Sequence, residues 1–271
     1  MRIYLDTSAW SALHGKHVSK ARATGHEILF SSCNLDEFVL ASPHRARELA
    51  RYAWSVSNRE KLLDHLEMTA KEVSAYRRGV ALADFRDTAD PWFFEVWAAV
   101  RTTGLTHDMR RQMAVRTEHA KLLFRDWLGG VRARFKLLFD LAREEGAEVA
   151  WDQHLRELES EGYIGEMLDG ILRAEGLGAE TRDIPYRNLR ATACWVQYYL
   201  ALSFLAAHAS RKTGRPETGD QADYRHACYA GVADVFVAGD SRMRHILNEM
   251  VRDKRANIMS PDEFAASLRT R

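Results

Sequence analysis

Residues 220–240 read DQADYRHACYAGVADVFVAGD and combine a short helix, a turn and an apolar β-strand that ends at an acid. The chain begins in a related way with MRIYLDTSAW at residues 1–10, where an apolar strand runs into Asp6 and hydroxyl residues open a helix. Strands that alternate with helices at both termini favour a parallel sheet with helices on both faces. We therefore expect the two ends of the chain to fold against each other in one α/β domain.

The composition is that of a folded, nearly neutral chain. Its 271 residues include 39 basic and 38 acidic side chains, with a formal net charge of +1 and 46% hydrophobic residues. This balance excludes the uniform positive field of many nucleic-acid-binding proteins, although a local basic face is compatible with it. The three cysteines are an odd number without a CxxC spacing. They argue against a disulfide framework and favour a reducing, cytoplasmic setting.

One apolar stretch is long enough to raise the question of a membrane span. Residues 191–208, ATACWVQYYLALSFLAAH, contain no Lys, Arg, Asp or Glu, and their length is near the minimum for crossing a bilayer. Gln197, two tyrosines, a histidine and several alanines reduce their hydrophobicity. We therefore expect a helix buried on most sides within the protein, and no membrane partner.

The middle of the chain lacks the alternation of strand and helix found at the ends. Hydrophobic spacing and Pro or Gly breaks predict a series of helices there, including residues 91–101, 107–127, 131–145 and 151–175. The pair Gly129 and Gly130 is expected to end the second of these. We predict one α/β domain made from residues 1–40 and 185–271, with residues 41–184 inserted as an all-helical region.

Four acidic residues are expected at the carboxyl edge of the sheet, where open α/β folds bind their ligands. Asp6 and Asp240 each follow an apolar strand, and Glu37 and Asp223 fall on the first turns of nearby helices. Carboxylates this close together do not all stay ionised unless a cation lies between them. Oxygen ligands of this kind suit Mg²⁺ or Mn²⁺. The pattern therefore predicts a divalent-metal site formed by these four acids.

Each of the four acids also has a purely structural interpretation. Asp6 and Asp240 suit the N-caps of the helices that follow them, and Glu37 is spaced from Asn34 as in a capping box. Asp223 lies in a first helical turn, where the macrodipole favours acids. The joint pattern favours a site, because independent caps would not gather at one end of one sheet.

Neighbouring acids compete for two of these positions. Asp220 is an alternative to Asp223, but it suits the N-cap of its helix and is given a supporting role. Asp36 competes with Glu37, and since neighbouring helix positions point about 100° apart, only one of them can face the pocket. Asp234 opens its strand at the opposite end and is expected to be structural.

The histidines form no metal-binding triad that can be recognised from their spacing. His226 follows Asp223 on the same predicted helix, but it has no identifiable partner as a base or nucleophile. We expect it to have a core or surface role.

Four segments of the chain resemble the PIN-domain nucleases. They are LDTSAW, FSSCNLDEF, DYRHACYAGVADVFVAGD and the closing IMSPDEF. The resemblance covers both ends of the chain and leaves the helical middle unmatched. It implies a Rossmann-like, three-layer α/β/α fold of the PIN type, whose acids bind Mg²⁺ or Mn²⁺ and which cuts RNA.

The resemblance also assigns roles to particular residues. By position in the motifs, the four acids of the family fall on Asp6, Glu37, Asp223 and Asp240, and its hydroxyl after the first acid falls on Thr7 or Ser8. Ala238 is a departure, because the family often has Thr or Ser there.

Together these features predict a metal-dependent endoribonuclease. A metal-bound water as the attacking group would leave 5′-phosphate and 3′-hydroxyl ends. Arg211, Lys212 and Arg215 lie in the turn that leads into the acidic segment, and they are the candidate contacts to the nucleic-acid backbone.

Other functions remain open on the sequence alone. Ala238 favours a catalytically silent PIN-like module that binds RNA or protein, and DNA is an alternative substrate. A haloacid-dehalogenase-like phosphatase also begins with a strand and an Asp, but it needs a second Asp where this chain has Ser8. The inserted helices are candidates for a substrate platform, a homodimer interface or the docking surface of an inhibitory partner, since many small PIN nucleases are toxins held by an antitoxin.

Overall fold

The computed structural model of the protein describes residues 1–13, 15–57, 60–82, 85–87, 90–147, 149–177, 181, 183–208 and 220–269. Its strands are β1 (Arg2–Leu5), β2 (Glu27–Leu29), β3 (Lys61–Leu62), β4 (Arg86–Asp87), β5 (Val235–Val237) and β6 (Asn257–Met259). Its α-helices are α1 (Thr7–Ala12), α2 (Gly15–Ala23), α3 (Ser32–Phe38), α4 (Pro43–Val56), α5 (His65–Arg77), α6 (Pro91–Arg101), α7 (His107–Glu144), α8 (Trp151–Ser160), α9 (Tyr163–Ala174), α10 (Arg190–His208), α11 (Asp220–Ala227), α12 (Ser241–Glu249) and α13 (Pro261–Ser267).

Strands from both ends of the chain form one parallel sheet with the order β2-β1-β5-β6. Tyr4 of β1 lies opposite Leu29 on one side and opposite Phe236 on the other. Just past this register, the amide of Asp6 donates a hydrogen bond to the carbonyl of Val237 at 3.0 Å. The carboxyl ends of β1 and β5 therefore reach the same edge of the sheet, as expected for a parallel α/β fold.

Alternate residues of the strands enter two separate hydrophobic clusters, one on each face of the sheet. Tyr4 and Phe236 belong to the cluster that contains most of α10, whereas Ile3 and Val235 belong to the one that contains Trp10 of α1. The sheet is thus covered on both faces, which is the arrangement of a mixed α/β protein.

The helices from residues 41–184 share these two clusters with the terminal segments. Leu49 and Trp97 lie in the same cluster as Ile3, and Phe135 and Leu168 lie in the same cluster as Tyr4. The inserted region therefore supplies much of the packing that covers the sheet.

α10 is the buried helix that the apolar stretch predicts. Its N-terminal amides are met by Glu72 of α5, whose carboxylate accepts hydrogen bonds from Ala191 at 2.9 Å and Thr192 at 3.0 Å. Gly231 packs against the same turn, and a Cβ there would lie 2.6 Å from the carbonyl oxygen of Arg190. No helix in the described part of the chain is long and apolar enough to cross a membrane.

The predicted helix break at the glycine pair was wrong. α7 runs without interruption through Gly129 and Gly130 and covers 38 residues. Each helical glycine costs only about 1 kcal/mol relative to alanine, and the segment is held in place by Val131 and Phe135, which are both buried in the core. Tertiary packing therefore outweighs the local preference of glycine for a helix end.

The prediction of an all-helical insertion was incomplete. β3 and β4 pair in an antiparallel ladder, with Lys61 opposite Asp87, and the amide of Leu62 donates to the carbonyl of Phe30 at 2.7 Å. Strands of two residues are too short to show the alternation by which strands are recognised in a sequence.

Candidate functional site

Asp6 lies at the junction of β1 and α1, where its carboxylate joins both ends of the chain. It accepts hydrogen bonds from the amide of Ala9 at 2.5 Å, from the hydroxyl of Ser8 at 2.8 Å and from the amide of Gly239 at 3.2 Å. Asp6 is only 4% exposed. Burial raises the pKa of this carboxyl, and the nearby His226 and the hydrogen bonds offset that effect only in part. Asp6 is therefore an N-cap and also a buried acid bonded to the segment that carries Asp240.

Asp240 follows this contact and begins α12. Its exposed carboxylate accepts a hydrogen bond from the amide of Met243 at 2.7 Å, so its interpretation as an N-cap is confirmed. The backbone before it is held by Arg244, whose guanidinium donates to the carbonyls of Ala238 and Gly239 at 2.8 Å each. A side chain at Gly239 would overlap that of Ser8. The close approach of Gly239 to Asp6 and Ser8 thus depends on a glycine at this position.

Glu37 is not part of a capping box, contrary to its structural interpretation. The N-cap of α3 is Ser31, and its capping-box partner is Asn34. The carboxylate of Glu37 instead contacts Nε2 of His226 at 3.1 Å. Burial alone would raise the pKa of Glu37, but His226 and the hydroxyl of Thr7 more than offset it and hold the pKa below its usual range.

His226 lies between three of the predicted acids, although only 1% of it is exposed. Its Nδ1 is 2.5 Å from the hydroxyl of Tyr4. Burial would lower the pKa of His226, but Glu37, Asp6 and Asp223 outweigh it and raise the pKa above its usual range. One imidazole is therefore within electrostatic reach of three of the four carboxylates.

The sequence analysis missed this role of His226, which it assigned to the core or surface. The signal that could have found it is the spacing of Asp223 and His226, because residues three apart share one face of a helix. Tyr4 also has a polar function that an apolar strand did not suggest. Its hydroxyl lies 2.8 Å from that of Ser31, and together they hold the imidazole from the side away from Glu37.

Asp36 and Glu37 point toward different partners on α11. Asp36 pairs with Arg225 at 3.1 Å, whereas Glu37 contacts the next residue, His226. Arg225 also pairs with Asp64 at 2.8 Å. Asp36 therefore belongs to an ion-pair network that joins α3, α11 and the start of α5. Glu37 instead belongs with Asp6, Asp223 and Asp240 to the carboxyl edge of the sheet, which we call the acidic edge.

Of the remaining candidate site residues, some lie in the part of the chain that the structure describes and others lie outside it. Asp223 is half-buried on α11 and acts on His226 as stated above. Asp220 begins α11, but its side chain lies outside the described part, as do Arg211, Lys212 and Arg215. Their predicted roles therefore stay predictions.

Asp234 lies at the opposite edge of the sheet, as expected for a structural residue. It accepts hydrogen bonds from the amide of Arg2 at 2.7 Å and from the guanidinium of Arg255 at 2.7 Å. It thus ties the amino end of β1 to the segment before β6.

The oxygen atoms available at the acidic edge are of the kind that bind a divalent cation. Carboxylate oxygens, together with the hydroxyls of Thr7 and Ser8, are the ligands that Mg²⁺ and Mn²⁺ prefer. Asp6 also has the raised pKa of a buried carboxyl that is not fully compensated. In their present arrangement, however, the described side chains include no group of three or more His, Cys, Asp or Glu that is placed to hold a metal. Glu37 is instead paired with His226.

The ion pair beside the site makes the stability of the fold depend on pH. Burial alone would raise the pKa of Asp64, but His65 and Arg225 more than offset it and hold the pKa well below its usual value. The unfolded value is about 3.9, so the stabilisation is fully present above that pH and is lost as the pH falls through the lower folded pKa. We expect urea unfolding between pH 6 and pH 3 to show a smaller loss of stability in Asp64→Asn than in the unaltered chain. Equal losses in the two proteins would contradict this assignment.

Comparisons of the chain with models of protein families, with curated proteins and with solved structures find no match. The resemblance to PIN-domain nucleases therefore rests on the motifs, and the function has to be inferred from the geometry of the acidic edge.

Proposed function

We propose that this protein is a metal-dependent endoribonuclease of the PIN type that hydrolyses RNA at the carboxyl edge of its sheet. The observation that carries the proposal is the contact of Glu37 with Nε2 of the buried His226 at 3.1 Å, one helical turn from Asp223. Asp6 and Asp223 act on the same imidazole through their charge and help to raise its pKa. Clusters of titratable groups with shifted pKa values are typical of functional sites. The bond between Asp6 and Gly239 brings the fourth acid, Asp240, to the same edge.

Asp6, Glu37, Asp223 and Asp240 would hold Mg²⁺ or Mn²⁺, with Thr7 and Ser8 in support. When bound, such a cation lowers the pKa of a coordinated water and stabilises the leaving oxygen. The expected products carry 5′-phosphate and 3′-hydroxyl ends.

The chain's own residues prepare this edge. The hydroxyl of Ser8 and the amide of Gly239 orient the carboxylate of Asp6. His226 keeps Glu37 ionised, because a positive imidazole beside a carboxylate favours its charged form. In the positive imidazole both ring nitrogens donate, so Nδ1 donates to the hydroxyl oxygen of Tyr4 and Nε2 donates to Glu37. The contact with Tyr4 thus fixes the orientation of the ring.

A second candidate function is that of a catalytically silent module that binds RNA or protein. The contact between Glu37 and His226 favours it, because the imidazole already compensates a carboxylate that the nuclease needs as a ligand. The hydrogen bonds that Asp6 accepts also favour the silent module, because they engage oxygen atoms that a metal would need.

Cleavage of matched single strands of RNA and DNA, with Mn²⁺, with Mg²⁺ and with EDTA, distinguishes these functions. We expect cleavage of RNA that requires the cation and stops with the chelator. A calorimetric titration with Mn²⁺ alone should show saturable binding to the same protein. If the protein neither binds Mn²⁺ nor cleaves RNA, the result supports the silent module. Equal cleavage of DNA would mean that the substrate is not specifically RNA. Products with 2′,3′-cyclic phosphate ends would exclude attack by water.

A further inference from the structure

A cavity of about 410 Å³ opens at the amino edge of the sheet, opposite the acidic edge. Arg2 begins β1, Val232 precedes β5 and Arg255 precedes β6, and all three line it. Its volume is within the range of about 300–1,000 Å³ that small-molecule sites occupy. The fold therefore offers a second concave site that shares no residue with the acidic cluster.

Three arginines, Arg2, Arg190 and Arg255, are among the residues that line the cavity, together with one acid, Glu72. The carboxylates close to them are already used. Glu72 accepts hydrogen bonds from the N-terminal amides of α10, and Asp234 accepts one from the guanidinium of Arg255 and another from the amide of Arg2. The hydrogen bonds to these acceptors therefore come from the backbone and from Arg255, while Arg2 acts on Asp234 and Arg190 acts on Glu72 through charge.

Two of the arginines interact with these carboxylates without a direct hydrogen bond. Within the described residues, the side chains of Arg2 and Arg190 donate no hydrogen bond, and Arg190 is exposed at the first turn of α10. Each guanidinium presents five N–H donors and no acceptor. A ligand that satisfies both must be rich in acceptors, and the planar donor fork of arginine matches phosphate and carboxylate groups. A phosphate, with its larger number of acceptor oxygens, can bind two guanidinium groups at once.

The lining of the cavity also contains apolar and aromatic residues, namely Tyr76, Val80, Phe85 and Val232. Tyr76 is 43% exposed and Val80 is 53% exposed, so both have apolar surface that a ligand could cover. The cavity thus combines arginines with an apolar surface that includes two aromatic residues.

We propose that this cavity binds a nucleoside 5′-monophosphate, with the phosphate at Arg2 and Arg190 and the base against Tyr76 and Phe85. The phosphate accepts the hydrogen bonds that the two guanidinium groups leave unused. The flat base covers the exposed apolar surface. This binding does not depend on the nuclease function, because the two sites lie at opposite edges of the sheet.

Calorimetric titration of the full chain with adenosine 5′-monophosphate tests the proposal, with adenosine and inorganic phosphate as separate probes. We expect saturable binding of the monophosphate, and weaker binding of both partial probes. Arg190→Ala and Arg2→Ala should each weaken binding of the monophosphate at least about tenfold, since hydrogen bonds to charged groups are worth that much or more. Tyr76→Ala should weaken binding of the monophosphate and leave that of phosphate unchanged.

Two control variants separate this site from others. Arg173→Ala removes an exposed arginine of α9 that does not line the cavity, and it should bind as the unaltered chain does. Asp6→Asn should also bind normally, so a loss there would move the ligand to the acidic edge and overturn the proposal. Absence of saturable binding of the monophosphate would overturn the proposal as well. So would an affinity for adenosine alone, or for phosphate alone, that equals the affinity for the monophosphate.

Discussion

Asp6→Asn is expected to lower RNA cleavage at least about 100-fold. Replacement of groups that merely orient a metal ligand already costs about 10–100-fold in metal affinity or activity, and the change from Asp to Asn removes the charge of a proposed ligand. The fold should persist, because the amide oxygen of Asn can still accept the hydrogen bond from Ala9 that caps α1. The rate of RNA cleavage and the affinity for Mn²⁺ should therefore both decrease in this variant.

The matched control for this variant is Asp262→Asn. Asp262 is exposed in the first turn of α13, and its replacement makes the same chemical change away from the acidic edge. It should leave both cleavage and Mn²⁺ binding unchanged. If Asp6→Asn cleaves RNA as fast as the control does, Asp6 is not part of the site.

Gly231→Ala is expected to lower the free energy of unfolding by about 1–3 kcal/mol, the usual cost of overpacking a core. The added methyl group would lie 2.6 Å from the carbonyl oxygen of Arg190 and 2.9 Å from Cα of Ala191. Both are backbone atoms at the start of α10, so no side chain can rotate away to make room. The midpoint of urea unfolding, followed by circular dichroism, measures the loss.

The same substitution at Gly129 should have the opposite effect. No atom lies within 4 Å of a Cβ built there, and the residue is in the interior of α7. Alanine in an exposed helix interior is favoured over glycine by about 1 kcal/mol. A destabilised Gly129→Ala, or an unaffected Gly231→Ala, would mean that these contacts do not control stability.

The parallel sheet could be predicted because its signals are local. Each of the strands β1 and β5 is a short apolar run that ends before an acid. Their adjacency and the pairing of Tyr4 with Phe236 come from the structure. The course of α7 could not be predicted in this way. The glycine pair gives the local signal for a helix end, while the contacts that override it come from Val131 and Phe135, which pack against distant parts of the chain.

In the candidate site, too, some features have local sequence signals and others depend on contacts between distant parts of the chain. The position of Asp6 at this edge follows from where β1 ends. Glu37 was predicted on the first turn of its helix, but α3 begins at Ser32 and Glu37 lies in its last turn. The contact of His226 with Glu37 and with Tyr4 does not follow from local signals, because it joins three elements that are far apart in the sequence. The true N-cap of α3 was also missed, since Ser31, Ser32 and Asn34 are all residue types that cap helices.

The position of β1 in the sheet has a consequence for how the protein folds. β1 ends at Leu5, whereas its neighbour β5 begins at Val235. During synthesis more than 200 residues are added after β1 before β5 can pair with it, and until then one side of β1 lacks its partner strand. Such long-range pairing slows folding and leaves nascent chains open to aggregation. We therefore expect the pairing of β1 with β5 to limit the rate at which the sheet is completed.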